Sequence, residues 1–187
     1  MAITFPTYEP KVLQNAPYRA VDVGAFGITG GQTYTRGQFV VLTSGLLTVC
    51  ASNAATITGL ALSDAQAVYQ NVAGQPVASQ LFGTGSNLGT LNAGDPAFNL
   101  IADAHGGQQF EMSLVQAWAT ATAGAAFGLT LTSGIFLADT GATAIGRIIG
   151  LSQIPQNIPG LGAENNYQVG DIGARVIVEF NAAAVIP

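Results

Sequence analysis

Charge is what this sequence has least of. Asp, Glu, Lys and Arg together make up 8% of its 187 residues, against roughly 25% in an average soluble domain. Lys11 is the single lysine, and Arg19, Arg36, Arg147 and Arg175 complete the basic set. No two of them lie close in sequence, and the formal net charge is −5. Neutralising phosphates requires grouped cations, so nucleic acid is not an expected partner. A soluble monomer normally covers itself with charged side chains. This chain must expose neutral polar residues instead, or hide surface in an assembly, and its wealth of Ser, Thr, Asn, Gln and Gly favours both together.

Other absences narrow the field further. Cys50 is the only cysteine, so no internal disulfide forms, and no Asn-x-Ser/Thr sequon occurs; the usual marks of a secreted eukaryotic domain are missing. The N-terminus, "MAITFPTYEPKVLQ", has no basic region followed by an apolar core, and no signal peptide is expected. Residues 112–138 carry no charge and are long enough to span a bilayer. Residues 37–63 and 65–94 are equally charge-free, and Gly124, Gly128, Gly134 and repeated Thr interrupt the candidate span. A membrane helix is therefore not expected.

What is present reads as β structure. Residues 1–20 space Pro6, Pro10 and Pro17 among Phe5, Tyr8 and Tyr18. Each proline removes a donor and pushes its predecessor toward extended geometry. An extended arm with aromatic anchors is expected there, followed by a β domain over 21–187. In "QFVVLTSGLLTVCAS" two β-rich runs flank a Thr43-Ser44-Gly45 turn, and "TITGLALS" supplies a third strand. The same order returns in "AAFGLTLTSGIFLAD" and "AIGRIIGLS". Sliding the chain by 89 residues aligns Leu42–Ser63 with Leu131–Ser152, and seven of 22 pairs are identical, where chance gives roughly two in so Ala-, Gly- and Thr-rich a chain. One hairpin-plus-strand unit used twice, over 36–63 and 125–152, predicts an all-β sandwich or barrel.

Between the copies, "SDAQAVYQNVAG" has a capping pattern at Ser63 and Gln66 and one apolar face, which predicts a single short helix. A strand over Val68–Val72 is the competing reading. Alternation in "GQQFEMSLVQAWA" turns Phe110, Met112, Leu114 and Trp118 inward and Gln109, Glu111 and Ser113 outward. "ARVIVEF" likewise turns Val176, Val178 and Phe180 inward, with Arg175, Ile177 and Glu179 opposite. Residues 153–171, rich in Pro, Gly, Asn and Gln, read as a long loop.

No constellation for chemistry emerges. His105 is the only histidine; with Asp103 it makes two potential metal ligands where zinc needs three or four. Cys50 sits in an apolar strand pattern, as a small buried hydrophobe does. "GTGSNLG" matches neither G-x-S-x-G nor G-x-G-x-x-G, and no G-K-[ST] occurs. The ten acids are scattered singly, mostly at turns. No enzyme activity and no cofactor are expected.

"YTRGQFVVLTSGLLTVCASNAATITGLALSDA" resembles the small β-domain capsid decoration, or cement, proteins of tailed bacteriophages. Gly37, Val40 and Leu42 fit their "G-x-x-V-x-L" strand, and Ile57, Gly59 and Ala61 fit the following "I-x-G-x-A". "GRIIGLSQIP…VGDIGARVIVEF" has the same texture. The resemblance covers about half the chain through loose Gly and aliphatic patterns. It implies a β-barrel or sandwich that oligomerises, often as a trimer, on the outside of an icosahedral shell. There it would bind the major capsid protein and stabilise the shell. The expected contacts are in the arm: Phe5, Pro6, Tyr8, Pro10, Lys11, Tyr18 and Arg19. A duplicated unit departs from the simplest cement proteins and leaves room for a coat or fibre-base subunit. The alternative from a different class is a carbohydrate-binding or adhesin module with Tyr167 as its stacking platform.

Overall fold

The two Leu-Thr-Ser-Gly stretches are the turns of two hairpins. A computed structural model describes residues 2, 4–13, 18–21, 27–28, 34–62, 66–67, 69–70, 76–77, 97–104, 107–152 and 167–186. In it, φ is 52° at Ser44 and 79° at Gly45, and 51° at Ser133 and 82° at Gly134. Positive φ at both central residues of a two-residue loop marks a type I′ turn, whose twist matches that of the flanking strands. Glycine adopts this geometry freely, whereas serine does so at a steric cost.

The described residues form strands β1 (Lys11–Val12), β2 (Tyr18–Val21), β3 (Gly27–Ile28), β4 (Phe39–Thr43), β5 (Leu46–Val49), β6 (Gly59–Ala61), β7 (Gln66–Ala67), β8 (Tyr69–Gln70), β9 (Pro76–Val77), β10 (Ala97–Asp103), β11 (Gln109–Ser113), β12 (Ala126–Thr132), β13 (Ile135–Asp139), β14 (Gly146–Leu151) and β15 (Arg175–Phe180). Two 3-10 turns, Thr120–Thr122 and Ala182–Ala184, are the only helical residues among them. The helix expected over 63–74 does not form among the described residues there. Gln66–Ala67 pairs with β10, just beyond the stretch of β10 that β6 occupies, and Tyr69–Gln70 pairs with β9. An edge left open by the short β6 overrides the local helical period.

The fold is all-β, and the described strands form two large sheets and a two-stranded ribbon, β8-β9. One large sheet runs β2-β10-β6-β4-β5-β3 and the other β1-β11-β15-β14-β12-β13. Within them lies a duplication deeper than the sequence echo: β2-β10-β6-β4-β5 and β11-β15-β14-β12-β13 place five strands in the same spatial order. Each unit also curls back by a parallel contact, β3 on β5 in the first and Leu114 on Ala138 in the second. Main-chain bonds match in detail. Gly37 (φ +84°) and Gly124 (φ +82°) precede β4 and β12 and donate to Ala61 O (2.8 Å) and Ile148 O (2.7 Å). Thr58 and Ile145 donate to Val40 O and Phe127 O, both at 2.8 Å.

These equivalences fix an offset of 87 residues on either side of the hairpin, not 89. The β12–β13 hairpin carries two more residues in its first arm than β4–β5, and the stretch from its turn to β14 is two residues shorter than that from the first turn to β6, so a gapless alignment centred on the turn slips elsewhere by two. Glycine at 59 and 146 confirms the true register. A Cβ on Gly59 would collide with Ala102 O, and one on Gly146 with Glu179 O, in each case on the unit's fifth strand.

Among the described residues two apolar cores result. The larger is lined by Phe110, Met112, Phe127, Phe136, Val178 and Phe180 of the second unit, and the first sheet closes over it with Phe39, Leu60 and Ala102. Phe39 meets Phe110, Phe136 and Phe180 edge-on, with centroids 5.6, 5.7 and 5.2 Å apart. Burying such a ring is worth roughly 1.5–3 kcal/mol. The intervening residues Val40, Ala61 and Ile101 point the other way, into a smaller core with Tyr34 and Leu47. The first sheet is thus covered on both faces, which is why "FVVL" is a continuous apolar run and not an alternating one.

Candidate functional site

Residues 4–13 run as a strap across the second unit. Thr4 bridges Ile172, and Phe5 N–H donates to Ile172 O at 2.8 Å. Lys11 and Val12 pair with Glu111 and Phe110, and Leu13 N–H donates to Gln109 O at 3.1 Å. Prolines at 6 and 10 keep the segment extended and unable to coil.

Under the strap lies a buried ion pair. Arg175 Nη2 is 2.9 Å from Glu111 Oε2, and both side chains are 1% exposed. The contact is an ion pair of short distance without a well-aligned hydrogen bond, and Arg175 Nε also lacks a hydrogen-bond partner. Ser152 Oγ donates to Glu111 Oε1 at 2.5 Å. The Tyr8 ring sits 5.3 Å from the guanidinium carbon, and Tyr8 N–H donates to Ser113 Oγ at 3.1 Å. Glu111, Ser113 and Arg175 were expected on a solvent face; all three are buried. Alternation did put them on the face away from the aromatic core, but the strap covers that face.

Beside the strap, toward the first unit, opens a cleft of about 430 Å³. One wall is the strap from Glu9 to Val12; Arg36, Leu60 and Leu62 stand opposite. Glu9 lies against Gly37, where an added Cβ would come within 3.0 Å of Glu9 Oε2. Glycine at 37, with φ +84°, is therefore required twice, by its backbone and by its neighbour.

The residues expected to contact a partner are dispersed by this arrangement. Phe5 is buried, edge-on to the Tyr167 ring at 4.8 Å, and Pro10 is buried too. Neither is an exposed anchor, because the aromatic arm docks on its own chain. Pro6 and Lys11 are exposed and Tyr8 is half-buried. Tyr18 and Arg19 belong to β2, opposite Ala102 and Ile101. The arm expected over 1–20 therefore ends in strands of both sheets.

Tyr167 is 6% exposed and offers no stacking platform. Burial pushes its phenol up to about 12, against the lowering influence of Arg175. Trp118 is in the larger core, as expected, although β11 ends at Ser113 and Trp118 lies beyond it, outside any strand. Cys50 is buried, and burial pushes its thiol up to about 12, away from reactivity. His105, "GTGSNLG" and residues 153–166 lie outside the described residues. Among the described residues no three His, Cys, Asp or Glu side chains group to hold a metal, and no helix is long and apolar enough to cross a membrane.

Sequence reasoning missed Glu9 and Arg36 as neighbours of Lys11. Their one signal was scarcity, since any charge in so neutral a chain is a candidate contact. Comparison with protein-family models, with curated proteins and with solved structures returned no match.

Proposed function

We propose that this chain is a virion structural protein of a tailed bacteriophage that binds the outside of the capsid and stabilises it, without catalysis. It is made in the host cytoplasm and taken up by the assembled shell, where its partner is the major capsid protein. The observation that carries this reading is the strap: an extended N-terminal segment ties the second of two like-ordered β units by main-chain ladders over a buried ion pair. Such a body suits a load-bearing role.

A scarcity of charge supports burial of surface in an assembly, and a trimer is the expected state. Val169 and Ile172, 67% and 45% exposed, lie beside the strap and add apolar surface there. Repeated contacts over a lattice would sum by avidity.

The test is the mass of the purified protein by light scattering, followed by co-sedimentation with shells stripped of accessory proteins. A stable trimer that saturates shells and raises their melting temperature is the expected result. A monomer that stays in the supernatant at every concentration overturns the reading.

A further inference from the structure

We infer that the cleft between the strap and the first unit takes an extended, acidic peptide segment of a partner protein, added as a strand along the outer edge of β1. Only the identity of that partner rests on the capsid reading.

The first argument is main-chain geometry. Among the described residues β1 is the last strand of its sheet, with β11 on one side. Leu13 N–H donates to Gln109 O, and the register pairs Lys11 with Glu111 and Val12 with Phe110. In an antiparallel ladder hydrogen-bonded and non-bonded pairs alternate. Residues 11 and 13 therefore bond toward β11, and the N–H and C=O of Val12 aim outward. Four consecutive residues, 9 to 12, line the cleft, so it is the strand's edge that faces it. An edge with outward main-chain groups is a template for strand addition.

The second argument is chemistry. Val12 and Leu62, both only partly buried, give the cleft apolar ground for alternate side chains of a bound strand, and its 430 Å³ falls in the usual range for ligand sites. Lys11 and Arg36, 25 positions apart in sequence, both line it, and Glu9 is the one carboxylate among the described residues that do. Two of the chain's five basic residues thus meet in one cleft of a protein whose net charge is −5. Charge complementarity selects an acidic segment and sets its register.

The experiment is fluorescence polarisation of the full chain with a labelled heptapeptide alternating Val and Glu, beside matched peptides carrying Lys or Gln in place of Glu. The Glu peptide should saturate, with the Lys peptide at least about tenfold weaker. Lys11→Gln and Arg36→Gln should each weaken it severalfold, and a Glu peptide N-methylated at alternate residues should not bind. Absence of saturation, equal binding of the Lys peptide, or full binding of the N-methylated peptide overturns the inference. Shells still binding a chain that ignores the peptide would overturn the cleft alone. Peptide binding by a chain that ignores shells would overturn the capsid reading alone.

Discussion

Arg175 and Glu111 meet 2.9 Å apart where neither side chain is more than 1% exposed, beneath the ring of Tyr8. Taking two charges out of water is costly, and their attraction offsets that cost only while both are present. Arg147 and Glu179, at 3.1 Å across two neighbouring strands, make the contrasting case: with Arg147 62% exposed, that pair is worth little.

Glu111→Ala should therefore destabilise the protein by about 3–5 kcal/mol, leaving an unpaired guanidinium in the interior. Replacing both partners, Glu111→Leu with Arg175→Met, should recover most of that loss. Urea midpoints of the three variants measure it. A double variant no more stable than the single one would mean the pair holds the strap in ways that packing cannot.

The glycines separate collision from conformational strain. Gly59→Ala and Gly146→Ala each drive a methyl into a main-chain oxygen of the neighbouring strand. Both should cost about 3 kcal/mol, the upper end of the usual range for overpacking. Gly45→Ala and Gly134→Ala meet nothing within 4 Å and suffer only from positive φ, a penalty of about 1–2 kcal/mol. Denaturation curves of the four variants should fall into these two pairs.

Asp139 sets a pH dependence. Partial burial alone raises its pKa, but hydrogen bonds from Thr130 Oγ1, the Gly141 N–H and Gln116 Nε2 outweigh this and hold the carboxyl below its ordinary value. A depressed folded pKa contributes stability that is present above the unfolded value, about 3.9, and is lost as pH falls through the folded one. The stability difference between the protein and Asp139→Asn should be constant above about pH 5 and shrink below pH 4. Thermal melts from pH 2.5 to 7 test it.

Tyr167 acts at the other end of the scale. Its folded pKa of about 12 lies above the unfolded value near 10. Its contribution is thus complete below pH 10 and lost as pH rises toward 12. Tyr34, also raised by burial, acts in the same sense. Tyr167→Phe should leave stability at pH 7 almost unchanged, because the hydroxyl makes no hydrogen bond of good geometry. Between pH 10 and 11.5 the variant should be the more stable protein. Equal alkaline melts would contradict the assignment.

The sequence carried the local geometry well and the partnerships poorly. Thr-Ser-Gly between β-rich runs identified both hairpins, and alternation put Phe110, Met112, Val176 and Val178 on the core side. The helix over 63–74 failed because an edge of β10 was open to β7, a fact residing in strands more than thirty residues away. Glu111 looked solvent-facing because nothing in its own segment tells that residues 8 to 11 will lie over it. Phe5 and Tyr8 were expected as contacts for a partner; in the structure they pack on the chain's own second unit. The offset of 89 found the repeat through its turn, and a longer first arm in β12, offset by a shorter stretch between that turn and β14, hid the true register.

The strap also sets an order of events during synthesis. Tyr8 bonds to Ser113, 105 residues away, and Phe5 to Ile172, so the first segment made waits for nearly the whole chain before its place exists. Contacts of such separation form slowly. The strap is then the last piece to close, and until it does the Arg175–Glu111 pair stands open to water. A chain caught at that stage has both units built and the second still unfastened.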